Sequence, residues 1–148
     1  MASESDITVL NSLIKTTLDS VKGFQDAAED SNAGRFSSLF SQMANDRDRI
    51  ARELQDAVRR LGGTPADSGS VAGSAHRAFM NFKELLSASD EKAVIKEVER
   101  GEDYIKSKFE AAVADGNLAV ETRGIVEGCY GSVREGHDRV SALKHSMV

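Results

Sequence analysis

Apolar residues recur along this chain in steps of three and four, and one stretch sets the frame for the rest. Phe36, Phe40, Met43, Arg47, Ile50, Leu54, Ala57 and Leu61 fall on a single helical seam. All are apolar except Arg47, which stands midway. A solvated arginine belongs off such a seam, so Arg47 asks for a buried or half-buried partner. The pattern predicts a helix over residues 33–61. Upstream, Ile7, Leu10, Ile14, Thr17, Val21, Phe24 and Ala28 form another seam, widened by Leu13 and Leu18. It predicts a helix over residues 7–30, with Ser5 or Asp6 as its cap. The polar link Glu29-Asp30-Ser31-Asn32 is short, which makes the two helices antiparallel neighbours.

Gly62-Gly63 supplies a left-handed C-terminal cap and Thr64-Pro65 blocks continuation of the helix. The next residues, Ala66 to Ser74, are small and polar and read as a loop. Val71, Ala75, Phe79, Phe82 and Leu86 then return at helical spacing, predicting a shorter helix within residues 71–86. A third long helix over residues 90–114 carries the seam Ile95, Val98, Glu102, Ile105, Phe109 and Ala112, again with one charge at its middle. Asp115-Gly116-Asn117 ends it. A fourth helix over residues 118–143 carries Val126, Cys129 or Tyr130, Val133, His137, Val140 and either Leu143 or Lys144. Two helical hairpins joined by one long crossover make an all-α, up-down four-helix bundle of the ferritin-like arrangement, with a short extra helix in the crossover.

Composition narrows the class. A chain of 148 residues, 40% apolar and 29% charged, fits one domain over residues 1–148 with a sizeable core and loose ends at about 1–5 and 144–148. The formal net charge of −5 argues against general binding to nucleic acid or anionic membranes. Cys129 is the only cysteine, which excludes an internal disulfide framework and thiolate-rich zinc sites. The first residues lack a secretion signal, and no run approaches the roughly 20 apolar residues of a membrane span. A reducing cytoplasm is the simplest location.

Several short motifs carry a resemblance. Val21-Lys22-Gly23-Phe24-Gln25-Asp26-Ala27-Ala28, Arg59-Arg60-Leu61-Gly62-Gly63-Thr64-Pro65, Asp67-Ser68-Gly69-Ser70-Val71-Ala72-Gly73 and Glu99-Arg100-Gly101-Glu102-Asp103 are similar to a bacterial family of ferritin-like proteins of unknown function. More remotely, both hairpins resemble those of rubrerythrin-type proteins, whose bundles hold a dinuclear iron site. Two adjacent divalent ions need several carboxylates to balance and bridge them and imidazoles as terminal donors, so each half supplies a Glu and then a Glu-x-x-His. Carried onto this chain, the first glutamate falls at Ile14 or Thr17, and the paired positions at Arg47 and Ile50. In the second half Glu102 matches the lone glutamate, Arg134 stands at the paired glutamate and His137 matches the histidine. Only Glu102 and His137 keep ligand chemistry, and Arg47 brings positive charge to the place of the cations. The resemblance therefore implies a bundle that has lost its metals, with no cofactor. The topology makes the second and third long helices parallel, and with Arg47 and Glu102 at similar distances from their starts, at about 1.5 Å rise per residue, it predicts a mid-bundle layer in which the two meet directly or through a water.

The remaining candidates have plain readings. His76 and His145 read as surface residues, and Cys129 as a small core residue. Phe79, Met80 and Phe82 suit packing on the bundle, with a partner-docking stripe as the alternative. Gly101, Gly128, Gly131 and Gly136 inside predicted helices suggest close helix approach, with helix irregularity as the alternative, and no strand or Gly-Lys-Ser/Thr makes them a phosphate loop. The expectation is a non-enzymatic bundle acting through a protein surface, as a homo-oligomer or a stress-associated scaffold. A metal-binding or iron-handling oxidoreductase with an unusual site is the alternative, and a small-ligand carrier a third.

Overall fold

In the computed structural model, residues 2–30, 34–69 and 91–147 are described. Four long helices account for most of them: α1 (Ala2–Glu29), α2 (Ser37–Arg60), α3 (Glu91–Val113) and α4 (Val120–Ser146), with a 3-10 turn at Gly34–Phe36 leading into α2. No strand occurs among the described residues. Helix extends further at both ends than the seams alone indicate, over residues 2–5 and 144–146. The predicted helix within residues 71–86, together with His76, Phe79, Met80 and Phe82, lies outside the described residues.

The ends of α2 follow local chemistry. At its C-terminus Gly62 takes φ 83°, and the Gly62 and Gly63 amides donate to the carbonyls of Arg59 and Val58, both at 3.0 Å. This double closure satisfies carbonyls that the helix leaves open, and it needs a residue without a Cβ penalty in the left-handed region. Ser5 and Asp6 do not cap α1, because α1 already runs through them. Asp6 is fully buried and works across the fold instead. Its carboxylate accepts from the Thr122 hydroxyl at 2.7 Å and from the Ala119 amide at 3.3 Å, capping α4 from another helix. Asp6→Ala is expected to cost about 1–2 kcal/mol, as an N-cap and buried hydrogen-bond loss. Urea midpoints would check this, with Thr122→Val expected to lose only part of it.

Side-chain contacts fix the directions. Phe24 packs on Phe40 at a centroid distance of 6.0 Å, and Ser37 bonds the Ala28 carbonyl, so α1 and α2 are antiparallel. Lys144 meets Glu99 while Tyr130 meets Glu110, so α3 and α4 are antiparallel too. Arg139 reaches Gln42 and Arg49 reaches Ser132, which makes α2 and α4 antiparallel neighbours. Arg35 bonds Glu91 at the starts of α2 and α3, so those two run parallel. With α1 on α2, α3 on α4, α2 against α4 and α1 against α3, the helices form a square with α2 and α3 on one diagonal. The chain leaves α2 and runs back along α1: Asn11 holds Thr64 and Ala66, Gln55 holds Ala66, and Gly69 abuts Asp19. The core on the inner faces is one continuous apolar cluster from Leu10 to Val140. At mid-height Arg47 and Glu102 interrupt it with charge.

Candidate functional site

Arg35 and Glu91 pin the two parallel helices at one end of the bundle. Roughly a dozen residues on, at about 1.5 Å per residue, Arg47 and Glu102 arrive at the same depth. Each points inward along the diagonal, and their side chains are 1% and 0% exposed. Arg47 Nη1 donates to Glu102 Oε2 at 2.8 Å, and Nη2 donates to Oε1, a planar fork that matches guanidinium to carboxylate. Nη1 also donates to the Ser20 hydroxyl at 3.1 Å, and the guanidinium carbon lies 5.9 Å from the Phe24 ring centroid. The expected contact between the two mid-seam charges is therefore direct.

Other residues expected in this layer divide. Ile14 and Ile50 are fully buried but apolar, and they belong to the core around the pair. Thr17 is fully buried as well. Its hydroxyl donates to the Leu13 carbonyl at 2.7 Å and so is spent on its own helix. Arg134 is exposed and does not belong to the layer. His137 is not in it either: its ring bonds Asp103 at 2.6 Å and Asp138 at 3.2 Å on the α3–α4 surface. The cause is the phase of α4, whose buried line runs Val126, Cys129, Val133, Gly136, Val140. Gly136, not His137, faces the pair.

Space explains that choice. A Cβ at Gly136 would lie 2.7 Å from Arg47 Nη2, 3.2 Å from the Met43 methyl and 3.5 Å from Glu102 Oε1. Any side chain there would collide with the guanidinium. Gly128 and Gly131 lie on the exposed face, and a Cβ at either would have no neighbour within 4 Å, so close approach is not their reason. Ser20 and Gly136 are the members of the site that seam-reading passes over.

The layer's chemistry is that of a closed pair. Arginine does not give up its proton near neutral pH, so these residues do not fit two divalent cations. Among the described residues no group of three or more His, Cys, Asp or Glu side chains is placed to hold a metal ion. Cys129 is 1% exposed, as a core residue should be. Burial, with help from a hydrogen bond to Glu53, pushes its thiol up to about 12, so it is a poor nucleophile.

His137 makes a titratable link between α3 and α4. Burial pulls its pKa down, but the bonds to Asp103 and Asp138 outweigh that and hold it above the ordinary 6.5. Imidazolium therefore favours the folded state. Its contribution is complete below about pH 6.5 and is lost as pH rises through the folded value. With Asp103 largely exposed, the effect is on the order of 0.5–1 kcal/mol. Urea midpoints between pH 5 and 9 should fall with pH more steeply in the native chain than in His137→Gln; parallel curves would remove the linkage.

No helix among the described residues is long and apolar enough to cross a membrane. A search of curated proteins finds no match to the chain. Residues 5–115, from the first turns of α1 to just past α3, match the model of the family described as "Domain of unknown function (DUF2383)", and the chain belongs to that family.

Proposed function

We propose that this chain is a single ferritin-like domain of non-enzymatic role, a protein-interaction or stress-associated scaffold of the bacterial cytoplasm. In it a buried charge pair stands where metal-bearing relatives of the fold keep their ions. The observation that carries the reading is Arg47: a permanent cation, 1% exposed, locked into a two-point bond with Glu102 at mid-bundle. Divalent cations at that level would be repelled by the guanidinium and deprived of Glu102. The pair has a structural use of its own, since a polar contact inside interchangeable aliphatics can fix the register of helices. On this reading the role is exercised through the surface, by self-association or with a protein partner.

The test is metal content. Protein expressed with iron and manganese available and purified without chelators should carry well under one equivalent of tightly bound metal and show no oxidase activity. Stoichiometric metal that disappears in Glu102→Gln or His137→Gln would overturn the proposal in favour of an iron-handling oxidoreductase with an unusual site.

A further inference from the structure

We propose that the groove between the start of α2 and the end of α4 binds a free medium-chain fatty carboxylate. Its alkyl chain would lie on Phe36, Leu39 and Leu143 and its head on Arg139. The groove has a volume of about 290 Å³ and is lined by those four residues and Arg35. Three apolar side chains form its floor, and two guanidiniums stand at its rim. The two cations differ. Arg35 bonds the Glu91 carboxylate through Nε at 3.2 Å and Nη2 at 3.1 Å, and its guanidinium stacks 4.9 Å from the Phe36 ring centroid. Its charge is already met. Arg139 donates to the neutral side-chain oxygen of Gln42 at 3.3 Å, and among the described residues no carboxylate pairs with it. An exposed guanidinium with free N–H groups beside an apolar floor is complementary to one carboxylate on an alkyl chain.

Size selects this occupant over a peptide. A docked amphipathic helix places anchors over two turns, about 11 Å of continuous groove. A volume of about 290 Å³ lies just under the roughly 300 Å³ at which small-molecule sites begin, which suits a slender single-chain ligand. Beyond Leu143 the neighbouring groove is lined by Glu91, Lys92 and Ser146 as well as Arg35 and Met147, too charged to take the tail, so the alkyl chain ends on Leu143.

Titration calorimetry of the full chain with decanoate, below the concentration at which it self-associates, tests the assignment. The expected result is saturable one-to-one binding, with decan-1-ol about tenfold weaker because it lacks the charge. Arg139→Gln, at an exposed position, should lower decanoate affinity by a similar factor and leave decanol unchanged, and Leu143→Asp should abolish both. Absent saturation, equal affinity for decanol and decanoate, or indifference to Arg139→Gln would overturn the proposal. So would a dimer, seen by sedimentation and dissolved by Leu143→Asp, in a protein that ignores decanoate; the groove would then belong to a second copy.

Discussion

Glu102→Ala should lower the free energy of unfolding by about 3–5 kcal/mol, because it leaves a buried guanidinium without its counter-charge. Arg47 would keep only the Ser20 hydroxyl and the face of Phe24, neither of which carries charge. It cannot escape by losing a proton, and its side chain, 1% exposed, is closed off from solvent that would otherwise replace the carboxylate. For a chain of this length the melting temperature should fall by about 10 °C. Exchanging both partners, Arg47→Met with Glu102→Leu, should behave quite differently and remain within about 1 kcal/mol of the native protein. Two desolvation costs vanish with the bond, and they nearly cancel its Coulomb gain. A double-mutant cycle measures the difference. Additive single effects would mean that the two charges do not depend on one another, against the geometry of the fork.

What can be read in the sequence, and what cannot, follows from how local each signal is. The seams of α2 and α3 are long, regular and broken once each, so Arg47 and Glu102 declare themselves as interior charges. Their equal depth then follows from helical rise. The cap at Gly62-Gly63 is equally legible, being a few consecutive residues. Asp6 is beyond such reading: next to Ser5 it looks like a local cap, whereas its partners Ala119 and Thr122 belong to the far end of the chain. Ser20 is hidden for another reason. It is a small polar side chain on the inner face of α1, fully buried with its hydroxyl accepting from Arg47, and a hydrophobic pattern does not register such a position. In α4 the steps Val133–His137–Val140 and Val133–Gly136–Val140 are equally helical, and a histidine looks more like an interior ligand than a glycine looks like a core position. What decides between them is the volume of a guanidinium that arrives from the diagonal helix. No property of α4 alone contains it.

That volume leads to a reversal of sign among the glycines of α4. Alanine is the better helix former by about 1 kcal/mol, so Gly124→Ala, Gly128→Ala and Gly131→Ala should each stabilise the chain by about 0.5–1 kcal/mol. Each position offers open space to a methyl group. Gly136→Ala should instead destabilise by about 1–3 kcal/mol, the usual range for overpacking, despite the same gain in propensity. The new methyl would sit 2.7 Å from Arg47 Nη2, and the guanidinium cannot retreat without breaking its fork with Glu102. Met43, flexible and 3.2 Å away, can yield; the charge pair cannot. The decisive comparison places Gly136→Ala in the Arg47→Met, Glu102→Leu background. There the obstacle is an unbranched thioether that can turn aside, and the substitution should become neutral or stabilising. Thermal melts of the four combinations would show the change of sign. A loss of equal size in both backgrounds would mean that Gly136 answers to the backbone of α4 and not to the charge it faces.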